Sequence, residues 1–124
     1  MTKIIIEAVA PGKMRLEAYR EEGCGDWFVD QANGDIHIQV AFPTDIVDDD
    51  DAFLIALHEL IEFKLCHKAG VTQGAIDVFD QQFTGEGEPG DAEDAPYKRQ
   101  HRAACMLEHQ MAIFLGRWDY GEVR

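Results

Sequence analysis

The string Leu57-His58-Glu59-Leu60-Ile61-Glu62 holds the residue types from which a metal centre is made. On a helix that turns by about 100° per residue, His58 and Glu62 stand one above the other, with Glu59 displaced by about a quarter turn. An imidazole nitrogen and a carboxylate at that spacing reach one cation, and the carboxylate between them lies where it can take a proton from bound water. The spacing is that of His-Glu-x-x-His with glutamate in the last place. Leu54, Ile61 and Leu65 flank one side of this stripe and Ile55 and Cys66 the other, while Lys64, His67 and Lys68 point elsewhere. A helix apolar nearly all round is buried, and a charge buried without a partner is expensive. A cation resolves that conflict. The competing reading makes His58, Glu59 and Glu62 the wet side of an amphipathic helix, with Glu62 paired to a basic residue.

A catalytic zinc takes three protein ligands and leaves a position for water, so a further ligand must come from another element. His101 is the candidate. It shares a helical face with Tyr97 one turn before and Cys105 and Glu108 after it. The alternative places it on the surface within Lys98-Arg99-Gln100-His101-Arg102. Glu108, His109 and Cys105 are reserve ligands, Cys105 as thiolate. His67 falls about opposite His58 around its helix and is excluded from the same site.

The elements that must position these groups follow from pattern. Ile4-Ile5-Ile6 reads as a short strand ending at Pro11-Gly12. Trp27 to Asp30 and Ile36 to Val40 read as the arms of a hairpin, joined by a segment whose Asn33-Gly34 suits positive backbone angles; His37 reads as an exposed strand residue. Asp48 to Asp51 cap a helix over Ala52 to Lys68 that stops at Gly70. A shorter helix after Thr72 carries Ile76, Val78, Phe79 and Phe83. Residues 84–95 read as a flexible, solvated, acidic Gly-rich loop. A third helix, roughly Tyr97 to Leu115, brings Ala103, Ala104, Met106, Leu107, Met111, Ile113, Phe114 and Leu115 to the core. The expectation is one α+β domain over residues 1–124, with N-terminal antiparallel strands followed by about three helices.

Strands, then a helix bearing Ala-Leu-His-Glu-Leu-Ile-Glu, then a later helix with one more ligand, resemble a minimal zincin metallopeptidase of the gluzincin or ImmA/IrrE-like type over roughly residues 36–110. The chain is also similar to small uncharacterised phage-type proteins with H-E-L-x-E followed by P-Y-x-x-x-H, here Pro96-Tyr97-Lys98-Arg99-Gln100-His101. The zincin resemblance implies His58 as first ligand, Glu59 as general base and His101 as downstream ligand; Glu62 departs from it, since that family has histidine there. The set His58, Glu62, His101 is still acceptable zinc chemistry, with manganese and iron less favoured. The reaction would be hydrolysis of a carbonyl, such as a peptide bond, with Glu59 accepting the proton of metal-bound water and Tyr97 donating a hydrogen bond to the oxyanion.

Two other classes compete. Glu59-x-x-Glu62 and Asp77-x-x-Asp80 resemble the paired carboxylates of MazG-type magnesium-dependent nucleotide pyrophosphatases, with Lys98, Arg99 or Arg102 facing the phosphates. A small acidic phage-type inhibitor or interaction protein needs no catalytic site at all. The chain of 124 residues carries 24 acidic and 11 basic side chains and a formal charge of -13, which opposes nucleic acid or an anionic membrane surface as principal partner. A protein or peptide substrate or target is the expected partner. No apolar run reaches the roughly 20 residues that span a bilayer, Met1 to Glu7 turns acidic too soon for a signal peptide, and Cys24, Cys66 and Cys105 form no CxxC pair and read as reduced thiols. A cytoplasmic location is the expectation.

Overall fold

The computed structural model describes residues 2–43 and 50–120. The chain is α+β, with three strands, β1 (Ile4–Val9), β2 (Gly25–Val29) and β3 (Ile36–Ala41), followed by three helices, α1 (Asp50–Ala69), α2 (Gln73–Gln82) and α3 (Lys98–Phe114). β2 and β3 form the antiparallel hairpin that the Asn-Gly signal predicts, with Trp27 opposite Ile38 and Val29 opposite Ile36. Gly34 takes φ +79° in its connection, a conformation that glycine adopts without steric penalty. His37 is half-buried rather than fully exposed, its ring stacked on Phe28 at 4.8 Å.

The sheet is mixed, in the order β1-β3-β2. β1 lies parallel to β3, with Ile4 beside Ile36 and Ile6 beside Ile38. Residues 10–24, which include two short 3-10 turns at Pro11–Lys13 and Glu17–Tyr19, lead the chain from β1 to the far side of β3.

Asp50 and Asp51 occupy the first turn of α1, with Arg117 Nη2 3.0 Å from Asp51 Oδ1. Asp48 and Asp49 of the expected acidic cap lie outside the described residues. Gly70 at φ +75° ends the helix. α2 is capped by Thr72, whose Oγ1 accepts the Ala75 N–H at 3.2 Å. Helix α1 packs on β2 and β3 and on α3. One cluster gathers Trp27, Ile38, Phe63, Cys66, Ile76, Ala95 and Tyr97, and a second joins Leu54, Ala112 and Tyr120.

Two expectations about the core are corrected. On α3 only His101, Ala104 and Ala112 are buried, whereas Met106, Leu107, Ile113 and Leu115 are exposed and Phe114 is 85% exposed. Val78 of α2 is likewise exposed. The cause is geometric: α3 meets α1 along a stripe that includes the buried Ala104 and Ala112, and among the described residues no helix or strand covers its outer side. The segment 84–95 also buries more than its composition suggests, because a 3-10 turn at Pro89–Asp91 sets Gly90 against α3 and Ala95 enters the core.

Candidate metal centre

α1 and α3 bring His58 and His101 together, with ring centroids 4.9 Å apart and planes at 67°. Both are buried, as is Glu62. One carboxylate oxygen is shared: Glu62 Oε2 lies 3.0 Å from His58 Nε2 and 3.1 Å from His101 Nδ1. The other oxygen, Oε1, accepts the indole N–H of Trp27 at 3.3 Å. Glu62 is thereby fixed from the sheet as well as from both helices, the kind of outer support that holds a metal ligand in one orientation.

The remaining imidazole nitrogens also face acids. His58 Nδ1 donates to Glu108 Oε1 at 2.8 Å, and Glu108 in turn accepts from the Tyr120 hydroxyl. His101 Nε2 lies 3.0 Å from Glu88 Oε2 and 3.3 Å from Asp91 Oδ1. Glu59 Oε2 is 3.9 Å from His58 Nε2. Five carboxylates, Glu59, Glu62, Glu88, Asp91 and Glu108, therefore crowd two imidazoles. Even with both rings protonated the cluster stays negative. Among the described residues, three groupings have the proximity to hold a cation: His58 with Glu59 and Glu62, His58 with His101 and Cys105, and His101 with Glu88 and Asp91.

The titration of these groups follows from that charge imbalance. Burial works against a charged His58 ring, but hydrogen bonds with Cys105, Glu108 and Glu62 and the charge of Glu59 overcome it and raise its pKa well above the ordinary value. The same competition pushes His101 up to about 12. Glu62 is lowered despite its burial, because both imidazoles donate to it. Glu59 goes the other way: burial, and then the charge of Glu62, lift it well above the usual carboxylate range.

Two glycines admit these side chains. A Cβ on Gly25 in β2 would lie 2.6 Å from Glu59 Cγ and 2.8 Å from Ile55 Cγ2. One on Gly90 would lie 2.5 Å from His101 Cγ. Real Cβ atoms do not tolerate such distances, so α1 approaches the sheet and His101 approaches the 89–91 turn only because side chains are missing there.

A cavity of about 190 Å³ opens beside the cluster, and Glu59, Glu62, His58, His101 and Tyr97 all line it. On its far wall the sequence pattern points to Asp77, Asp80 and Tyr97 but not to Tyr19 and Asp26. Arg15 reaches from the segment after β1 to pair with Asp26 at 3.0 Å and with Asp77 at 2.6 Å. Burial holds Asp26 up to about 6, although Arg15 pulls the other way. Asp80 accepts hydroxyls from both Tyr19, at 2.5 Å, and Tyr97, at 2.6 Å. The Tyr97 hydroxyl thus lies at the cavity with its proton committed to Asp80. Asp77 and Asp80 share the cavity with Glu59 and Glu62, but a guanidinium and two phenols engage them. Among the reserve ligands, Glu108 and Cys105 join the cluster, whereas His109 Nδ1 turns back to the Cys105 carbonyl at 2.8 Å. His67 stacks on Phe63.

No family matches the chain, and neither does any curated protein or solved structure. No helix among the described residues is long and apolar enough to cross a membrane.

Proposed function

We propose that this chain is a zinc-dependent hydrolase of the peptidase-like kind, with His58, Glu62 and His101 as ligands and Glu59 as general base. The observation that carries the reading is the meeting of His58 and His101, from separate helices, on one oxygen of Glu62 beside a cavity that Glu59 also lines. Two imidazoles and a carboxylate are donors that suit zinc better than a hard cation such as magnesium. A divalent ion there would neutralise the surplus of carboxylates and supply the Lewis acidity that polarises a carbonyl and makes water acidic.

The chain's own groups divide the remaining work. Glu59, raised by burial and by the charge of Glu62, holds a proton more tightly than an ordinary carboxylate, and it lines the cavity beside the proposed ligands. Trp27 holds Glu62 in place. The cavity is smaller than the ~300–1,000 Å³ typical of pockets that engulf drug-sized ligands, which favours a substrate that inserts one residue-sized group. With Asp77 and Asp80 engaged by Arg15, Tyr19 and Tyr97, the four-carboxylate magnesium reading has less support.

Elemental analysis tests the centre directly. The expected result is about one zinc per chain, lost in His58→Ala and His101→Ala. Glu59→Gln should keep the zinc while hydrolysis of a peptide library disappears. Metal-free protein whose stability is unchanged by both histidine substitutions would overturn the proposal.

A further inference from the structure

An imidazole has two nitrogens on opposite edges, and in this cluster each pair of edges faces different chemistry. The inner pair, His58 Nε2 and His101 Nδ1, faces Glu62. On the outer pair, Cys105 Sγ lies 3.5 Å from His101 Nε2 and 3.9 Å from His58 Nδ1. A tetrahedral zinc with bonds of about 2.3 Å to sulfur and about 2.05 Å to nitrogen separates those atoms by about 3.6 Å. The three side chains are therefore already spaced as the edges of a thiolate-bearing metal site, and their donor atoms all fall within 4.8 Å of one another.

We propose that His58, His101 and Cys105 form a second seat for a thiophilic divalent cation, on the opposite edges of the same two rings. It deepens the hydrolase reading by giving that centre an alternative, inactive loading. Glu108 Oε1, 2.8 Å from His58 Nδ1, and Glu88 Oε2, 3.0 Å from His101 Nε2, are carboxylates that face the same outer edges. Cys105 is half-buried and does not line the cavity, whereas Glu59 and Glu62 do, and Glu59 faces His58 Nε2, so an ion on the sulfur edge lies on the side of the rings away from the proposed base.

The seats exclude one another. A neutral imidazole coordinates through one nitrogen and keeps a proton on the other. An ion on the sulfur edge leaves two N–H groups directed at Glu62, whose Oε2 lies within hydrogen-bond distance of both inner nitrogens. An ion on the Glu62 edge returns those protons to the outer side.

Cobalt(II) titration of the whole chain distinguishes the two seats, since only a thiolate ligand produces intense charge-transfer absorption in the near ultraviolet. Wild type and Glu62→Gln are expected to show that band. Cys105→Ser should lose it while still taking one cobalt per chain on the Glu62 edge. If Cys105→Ser fails to fold, peptide mapping of alkylated wild type serves instead, with cobalt expected to protect Cys105. A wild type without the band, or a band that survives in Cys105→Ser, would overturn the sulfur seat. Two cobalt ions per wild-type chain would overturn the exclusion. A missing band together with zinc-dependent hydrolysis leaves the hydrolase reading standing alone; a band without hydrolysis in wild type or Cys105→Ser does the reverse.

Discussion

Glu59 of α1 lies so close to Gly25 of β2 that a Cβ at position 25 would fall 2.6 Å from its Cγ. The side chains of Glu59 and Ile55 thus lie against the backbone of the strand at the point where the proposed base is held. Gly25→Ala must therefore displace Glu59 or Ile55. The expected outcome is a loss of about 1–3 kcal/mol in denaturant unfolding, typical of overpacking, with hydrolysis reduced more than zinc content. Gly74 in α2 has nothing within 4 Å of the same atom, and Gly74→Ala should instead stabilise by about 0.5 kcal/mol through helix propensity. Equal effects at the two positions would contradict the packing described.

Zinc binding is expected to release about two protons at neutral pH. His58 and His101 are both raised by their carboxylate neighbours, so both rings are charged before an ion arrives and must surrender a proton to coordinate. Affinity then rises with pH. Calorimetry in buffers of different ionisation enthalpy counts the protons, and a count near zero would show that the rings are neutral in the metal-free protein.

Asp26 gives stability a pH dependence of definite sign. Its folded pKa is about 6 against an ordinary 3.8, raised by burial and only partly offset by Arg15. A group that binds its proton more tightly when folded contributes fully below the unfolded value, and that contribution is lost as pH rises through the folded one. Between about pH 4 and 6 the loss is on the order of 3 kcal/mol at about 1.4 kcal/mol per unit. Asp26→Asn should flatten the stability profile across that window, and an unchanged slope in chemical denaturation would rule Asp26 out as its source.

Tyr97 and Tyr19 should behave as a pair. Each hydroxyl donates to one oxygen of Asp80, so Tyr97→Phe and Tyr19→Phe are each expected to lower stability by about 1–2 kcal/mol and to change kcat to a similar extent. A much larger kcat effect for Tyr97→Phe would support the proposed role of Tyr97 as hydrogen-bond donor to the oxyanion.

Local signals carried the elements well. The Asn33-Gly34 turn, the Thr72 cap and the stop at Gly70 each act within a few residues, and the elements beside them fall close to where those residues put them. The meeting of His58, Glu62 and His101 was legible because helical spacing fixes two of the three and the polar face of α3 pointed to the other. What surrounds them was not. Glu88 and Asp91 sit in a segment whose composition reads as solvent-exposed, and they reach His101 only because Gly90 lets the turn settle on its ring. Arg15 joins Asp26 of β2 to Asp77 of α2, a juxtaposition with no periodicity to reveal it. The exposed apolar side of α3 was misread for a related reason, since hydrophobic composition says that a face wants a partner and not that the chain supplies one.

The hydrogen bond from Trp27 to Glu62 also makes the centre optically visible. Of the two tryptophans, Trp27 is buried with its indole on Glu62, and Trp118 is 74% exposed beyond α3. Their emission separates into a short-wavelength component from the interior and a long-wavelength one that aqueous quenchers reach. Any event that repositions Glu62 changes the first and spares the second, so the unmodified chain has a built-in fluorescent sensor and its own internal reference.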